Sequence, residues 1–226
     1  MLKKLIWNDV RKNKLLSAAT IFFMAVSAMM LALTVLLFSS LLGSVNGLME
    51  RAQAPDLVQM HTGALDEPQI GRFAGERQEI DQWQICCFLN LDNSQVTLGG
   101  HSLLDSTQDN GLCIQGDKFD FLLDMDNNRP DVLPGQVYVP VCYRTRYELN
   151  IGDTMRICSE ELTIAGFLRD AQMNSMMASS KRFLVSEWDY GRLKPCGEEE
   201  YLIEFLLKDG ADTSSVSTAY TNQGLP

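Results

Sequence analysis

Six cysteines, two histidines and a few acidic or methionine-rich runs are the residues whose chemistry is worth weighing first. Cys86, Cys87, Cys113, Cys142, Cys158 and Cys196 offer thiolates for redox, nucleophilic or metal chemistry. They contain no Cys-x-x-Cys and no Cys/His spacing suited to zinc. Their even number permits disulfides, although a chain of this size does not need them to fold, and the adjacent Cys86 and Cys87 are ill placed to bridge each other. His61 and His101 stand alone, without a Ser or Cys motif nearby. G-x-S-x-G, H-E-x-x-H and Walker signatures are absent from the sequence. Asp124-Met125-Asp126-Asn127-Asn128 imitates the start of a calcium loop, but Arg129 and Gly135 stand where that loop needs Gly and Glu. It reads as a solvated acidic turn. The run Met173–Ser180 carries three methionines, which reads as core filling or a mobile loop rather than an adaptable binding face. Glu198-Glu199-Glu200 reads as a solvated loop before a strand. No catalytic residue, cofactor-binding residue or metal ligand is assigned, and an enzyme is the least supported class.

Charge points elsewhere. The net charge is −10 over 226 residues, yet the segment before Asn46 carries +4 (Lys3, Lys4, Arg11, Lys12 and Lys14 against Asp9), leaving −14 for the remainder. An acidic globule has nothing to neutralise a row of phosphates, so nucleic acid is excluded as a partner. The basic tip suits an anionic membrane surface. Hydrophobic content of 46% with 21% charged residues is that of a folded chain, not a disordered one.

Between the tip and the globule, Leu15–Leu42 is a run of 28 uncharged, mostly apolar residues. As a helix it exceeds the roughly 30 Å hydrocarbon core, and tilt or extension absorbs the surplus. Basic residues before it and a balanced Glu50-Arg51 pair after it predict a cytoplasmic N-terminus by the positive-inside rule. Small residues (Ser17, Ala18, Ala25, Ala28, Ala32) predict packing against other transmembrane helices. A cleaved signal peptide is the rival reading, since Ala52-Gln53-Ala54 has the A-x-A form. A signal core is usually about 7–15 residues, so length favours an uncleaved anchor. Ahead of the span, Leu2, Leu5, Ile6 and Val10 share one helical face, which fits either a surface amphipathic helix or a plain basic flank. The expected organisation is a cytoplasmic basic amphipathic segment 1–14, a transmembrane helix 15–44 and an extracytoplasmic domain 45–226.

Past Pro55 the pattern becomes short alternating segments with turn signals. Strands are predicted over Asp56–His61, Gln84–Leu91, Val96–Leu98, Gln136–Val141, Met155–Cys158, Glu161–Leu168, Phe183–Ser186 and Tyr201–Leu207. Asp92-Asn93-Ser94 is read as a turn pairing the second and third of these, and Ser159-Glu160 as a hairpin turn. Helices are predicted over Tyr143–Leu149, Glu187–Leu193 and Thr213–Asn222, the last with Gly224 near its C-cap. Mixed short strands and helices without a βαβ rhythm define an α+β class attached to one N-terminal helix.

Val137-Tyr138-Val139-Pro140, then Leu149-Asn150-Ile151-Gly152-Asp153-Thr154, then Leu162 through Asp170 form an ordered series of short motifs. With the basic N-terminus and long apolar helix, this series resembles the N-terminal half of FtsX-like ABC transporter permeases, the outer part resembling their MacB-type periplasmic core domain. The resemblance covers most of the chain. It implies a run of strand, helix, hydrophobic-Gly-Asp turn and hairpin, and a role in coupling a cytoplasmic ATP-binding cassette ATPase to an outer domain for export or force transmission. Family members continue into further transmembrane helices that contact the ATPase. That part would lie outside these residues. A self-contained single-pass anchored binding or sensor module is the competing class. A domain released after Ala54 is a third.

Overall fold

The computed structural model describes Lys12 and residues 14–225. The basic segment expected over 1–14 lies outside the described residues apart from Lys12 and Lys14. The chain divides into two compact units, Met1–Gly47 and Leu48–Pro226.

Helix α1 runs Lys14–Ala52, 39 residues, or roughly 58 Å at 1.5 Å per residue. Within the first unit its large apolar side chains are exposed, Phe22 by 64%, Leu31 by 68% and Leu37 by 71%. That exposure is costly in water and costs nothing in hydrocarbon. The helix is long and apolar enough to cross a membrane. Thr20, Thr34 and Ser44 donate their hydroxyls to the carbonyls of Leu16, Met30 and Ser40, each at 2.9 Å. These polar side chains therefore present no orphan donor to lipid.

The second unit is α+β, as its alternating patterns predict. Its strands are β1 Leu57–Thr62, β2 Ile80–Leu91, β3 Val96–Leu98, β4 His101–Ser102, β5 Asp109–Cys113, β6 Gln136–Pro140, β7 Thr154–Ile157, β8 Glu160–Leu168, β9 Ser180–Val185 and β10 Gly197–Leu207. Its helices are α2 Glu67–Glu76, α3 Val141–Arg146, α4 Glu187–Leu193 and α5 Thr213–Asn222. All ten strands join one mixed sheet in the order β1-β10-β2-β5-β9-β6-β8-β7-β3-β4. The pairs β5/β9 and β6/β8 are parallel.

The two largest hydrophobic cores lie along this sheet. In one, Ile70 and Phe73 of α2 and Val216 and Tyr220 of α5 pack on Ile203 and Phe205 of β10. The rings of Phe73, Phe205 and Tyr220 meet edge to face at 5.4–5.9 Å, the geometry their quadrupoles prefer. The sequence reading misses α2 because the helix is short and carries Gly71 and Gly75. Asp66 caps it by accepting from the Gln69 amide at 3.0 Å, and Pro68 sits in its first turn. The larger core gathers Leu98, Val139, Tyr143, Ile164, Phe183 and Leu193 from both sides of the β6–β8 region. Tyr143 is buried with its hydroxyl donating to Asn110 Oδ1 at 2.6 Å, and Asn110 Nδ2 donates to Asn93 Oδ1 at 2.7 Å. A polar string so satisfied can stay inside the core.

Two expectations are corrected. Val96–Leu98 does not pair with Gln84–Leu91: β2 lies between β10 and β5, while β3 pairs with β7 and β4. The long β10 offers β2 eleven paired positions, and the turn Asn93–Gln95 is a 3-10 turn capped by Asp92, which leads the chain away instead of folding it back. Glu198-Glu199-Glu200 is not a loop but the start of β10, where Lys194 pairs with Glu199 at 2.9 Å and Asn90 donates to Glu200 at 2.9 Å. The motif series from Val137 to Asp170 falls on β6, α3, a Gly-Asp turn and the β7–β8 hairpin in the expected order. In that turn Gly152 holds φ at +97°, where a side chain would be strained, and Asp153 accepts from the Asn150 amide at 2.8 Å.

Gly111 tests the packing between β5 and β2. A Cβ there would lie 2.3 Å from the Phe88 ring, itself fully buried. Gly111→Ala is therefore expected to destabilise the outer unit by about 1–3 kcal/mol, read as a lowered urea midpoint. An unchanged midpoint would refute this close packing.

Candidate functional site

The last turn of α1 belongs to the second unit and ends in a defined cap. Ala54 N–H donates to Met49 O at 2.9 Å and Gln53 N–H to Glu50 O at 3.2 Å, with Gln53 at φ 49°. This is a Schellman ending, with Gln in the left-handed position usually given to Gly and Pro55 following. Two carbonyls that the helix leaves over are then used by the domain. Ala52 O accepts from Phe121 N–H at 2.7 Å, and Gln53 O accepts from Asp120 N–H at 2.9 Å. Ala52 is fully buried and, with Leu48, packs against Phe121, Leu123 and Ala171.

The segment Phe119–Leu123 that grips the helix end is pinned from its other side. Leu123 and Arg169 exchange backbone hydrogen bonds at 3.3 and 2.7 Å. The side chain of Gln115 imitates a strand, donating to Leu122 O and accepting from its N–H at 2.8 and 2.9 Å. Above all, Asp120 enters a buried charge cluster built on Arg182 of β9. The Arg182 guanidinium donates to both oxygens of Asp170 at 2.7 Å each, binds Asp120 through a second nitrogen edge, and stands 3.9 Å from Glu204 Oε1. Side-chain exposure is 4% for Arg182 and 1%, 2% and 0% for Asp120, Asp170 and Glu204. Gln84 of β2 donates to Glu204 Oε2 at 2.7 Å and to Phe119 O at 3.0 Å.

One guanidinium cannot neutralise three carboxylates, and Asp170 and Glu204 shift in opposite directions. Burial alone would raise the Asp170 carboxyl. The charge and hydrogen bonds of Arg182, with the amides of Met173 and Gln172, outweigh it and hold Asp170 below the usual carboxylate range. Those carboxylates in turn hold Arg182 above its ordinary value despite burial. Glu204 goes the other way. Its burial first, and then the Asp120 charge, push it up to about 8. Asp120 Oδ1 and Glu204 Oε1 are buried without a hydrogen-bond partner. A proton on Glu204, donated to Asp120, is the state that relieves this pair.

A cleft of about 450 Å³ adjoins the cluster, lined by Trp83, Gln84, Cys86, Lys118 and Tyr201 among others. The Cys86 thiol donates to Glu204 Oε2 at 3.6 Å, and burial raises its pKa. It is held as a thiol, not as a thiolate nucleophile.

The residues singled out by sequence do not converge on this site. His61 is partly exposed and sits 3.0 Å from Ala64 O, while His101 lies against the Tyr147 ring at 5.8 Å. Asp124 accepts from the amides of Asp126 and Asn128 at 2.8 Å each, closing its own turn. Met176 packs on the larger core and Met177 is 95% exposed. Among the described residues no group of three or more His, Cys, Asp or Glu side chains is arranged to hold a metal ion. Sequence reasoning missed Arg182, Asp120 and Glu204. The signals available were Glu204 inside the apolar strand Tyr201–Leu207 and Arg182 immediately before the predicted strand Phe183–Ser186.

No protein-family model matches this sequence, and no curated protein matches it. Among solved structures, the chain is similar to the periplasmic region of MacB from Actinobacillus actinomycetemcomitans, with 9% identity over 79% of this chain and 90% of that one, at a TM-score of 0.38. A likeness of that degree carries no argument about function.

The cluster sets the pH dependence of folding. Glu204 titrates near 4.3 when unfolded and near 8 when folded. Between those values the native state binds the extra proton, so stability falls as pH rises, by at most about 1.4 kcal/mol per pH unit. Glu204→Gln is expected to flatten that decline in urea titrations from pH 5 to 8. An unchanged slope would locate the titrating group elsewhere. Arg182→Met, which leaves the carboxylates uncompensated, is expected to cost about 3–5 kcal/mol in the same titration at pH 7.

Proposed function

We propose that this chain is the anchor helix and outer domain of an ABC transporter permease of the FtsX-like type, or the N-terminal part of one. In this reading residues 1–14 are cytoplasmic, 15–44 span a bacterial plasma membrane beside other transmembrane helices, and 45–226 are extracytoplasmic. The partner is an ATP-binding cassette ATPase, engaged through parts of the permease beyond these residues. The chain itself contributes no catalysis. It carries movement between the bilayer and an outer surface that meets substrate or a partner.

One observation carries the proposal. The end of an apolar helix is gripped through its own carbonyls by a segment that a buried charge cluster ties to β9 and β10. A flexible tether would suffice to keep a domain near a membrane. Backbone hydrogen bonds and a buried alanine at the helix end instead suit a joint that transmits displacement.

The test is affinity purification from membranes with the protein expressed at its native locus, followed by mass spectrometry of the product and its co-purifying chains. The expected result is a longer polypeptide accompanied by an ATP-binding subunit. A product of this length with no ATPase would overturn the permease reading and leave an anchored binding module.

A further inference from the structure

Cys158 and Cys196 come from separate parts of the outer domain and end side by side. Cys158 opens the two-residue turn between β7 and β8, where Ile157 pairs with Glu160. Its φ is 53°, in the region where Gly or Asn is least strained. Cys196 closes the 3-10 turn Lys194–Cys196 that leads from α4 into β10. The Cys158 thiol donates to Gln95 Oε1 at 2.9 Å, and the Cys196 thiol is its electrostatic neighbour. Both side chains flank the same apolar core.

Contacts that involve no sulfur hold the two backbones in place. Arg192 pairs with Glu160 at the start of β8 and with Asp189 of α4, the latter at 3.1 Å. Cys158 N–H donates to Gln95 O at 2.9 Å, and Lys194 pairs with Glu199 at 2.9 Å. The remaining cysteines have other surroundings. Cys86 and Cys87 are neighbours on one strand and face opposite sides of the sheet. Cys86 donates to Glu204, and Cys113 to Phe183 O at 3.5 Å.

We propose that Cys158 and Cys196 are a disulfide site, closing the β7–β8 hairpin covalently onto the turn that feeds β10. The oxidant is a small-molecule or protein disulfide. One cysteine thiolate attacks it, forming a mixed disulfide and releasing one thiolate. The second cysteine, deprotonated, attacks the protein sulfur of that mixed disulfide and expels the other thiolate, so two thiols are oxidised and one disulfide is reduced. Burial and the hydrogen bond to Cys158 push the Cys196 thiol up to about 11, so bond formation accelerates with pH through the neutral range. The site is a property of the outer fold and does not depend on the transporter reading.

The full chain in detergent micelles, equilibrated with mixtures of reduced and oxidised glutathione and then alkylated, provides the test. Trypsin leaves Cys158 on peptide 157–169 and Cys196 on peptide 193–208, each without another cysteine. The expected product is those two peptides joined, with a melting temperature that drops by roughly 5–10 °C on reduction. Cys158→Ser should abolish that drop. Alkylated thiols on both peptides in the most oxidising mixture, or either peptide joined to one carrying Cys86, Cys113 or Cys142, would overturn the proposal. The peptide readout uses the unsubstituted chain, so it decides the matter even if the serine variant does not fold.

Discussion

Arg182 is the charge on which the outer domain is organised. Its guanidinium is buried and reaches three carboxylates that arrive from separate places: Asp120 before Phe121, Asp170 just after β8 and Glu204 in β10. A planar fork of donors suits this better than a lysine would, because it binds Asp170 through two parallel bonds and keeps an edge for Asp120. Burying such a group is unfavourable unless its partners are in place. The cluster thus penalises any arrangement in which these segments separate. Because the carboxylates outnumber the cation, the cluster also holds a proton at Glu204 that an exposed glutamate would lose.

This organisation reaches the last turn of α1, which lies within the second unit, through a short path. Asp120 contributes its side chain to Arg182 and its backbone amide to Gln53, so one residue joins the buried cluster to the helix end. It holds φ at 54°, a strained value for a residue with a side chain, and both contacts fix it there. A charge cluster on a loop remote from the anchor would stabilise the domain without connecting it to anything. Here the hydrogen-bonded segment and the cap of α1 are parts of one construction.

Much of the outer domain was legible from local patterns. The alternation in Glu161–Leu168 and Tyr201–Leu207, the Gly152-Asp153 turn and the patterns of Glu187–Leu193 and Thr213–Asn222 all mark elements that form where expected. Pairing was less legible. Val96–Leu98 lies so close to Gln84–Leu91 in sequence that a hairpin was the natural expectation, yet β2 is taken by β10 from the far end of the chain. Three glutamates in a row looked like a solvated loop because the cation and amide that accommodate them, Lys194 and Asn90, are contributed by the fold.

By itself the sequence determined most of the elements, though not α2, β4 or β5, and the division between an apolar helix and an acidic α+β domain, because hydrophobic period, turn residues and charge are local properties. Only the tertiary structure decided which strands neighbour one another, that Arg182, Asp120, Asp170 and Glu204 share one buried space, and that α1 ends inside the domain at Ala52. Those features depend on contacts between residues distant in sequence, Arg182 and Asp170 being 12 positions apart and Leu57 and Phe205 148, and on a helix cap whose left-handed residue is Gln53 rather than glycine. Nothing in the local spacing distinguishes a charged residue facing solvent from one whose counter-charges arrive from other strands.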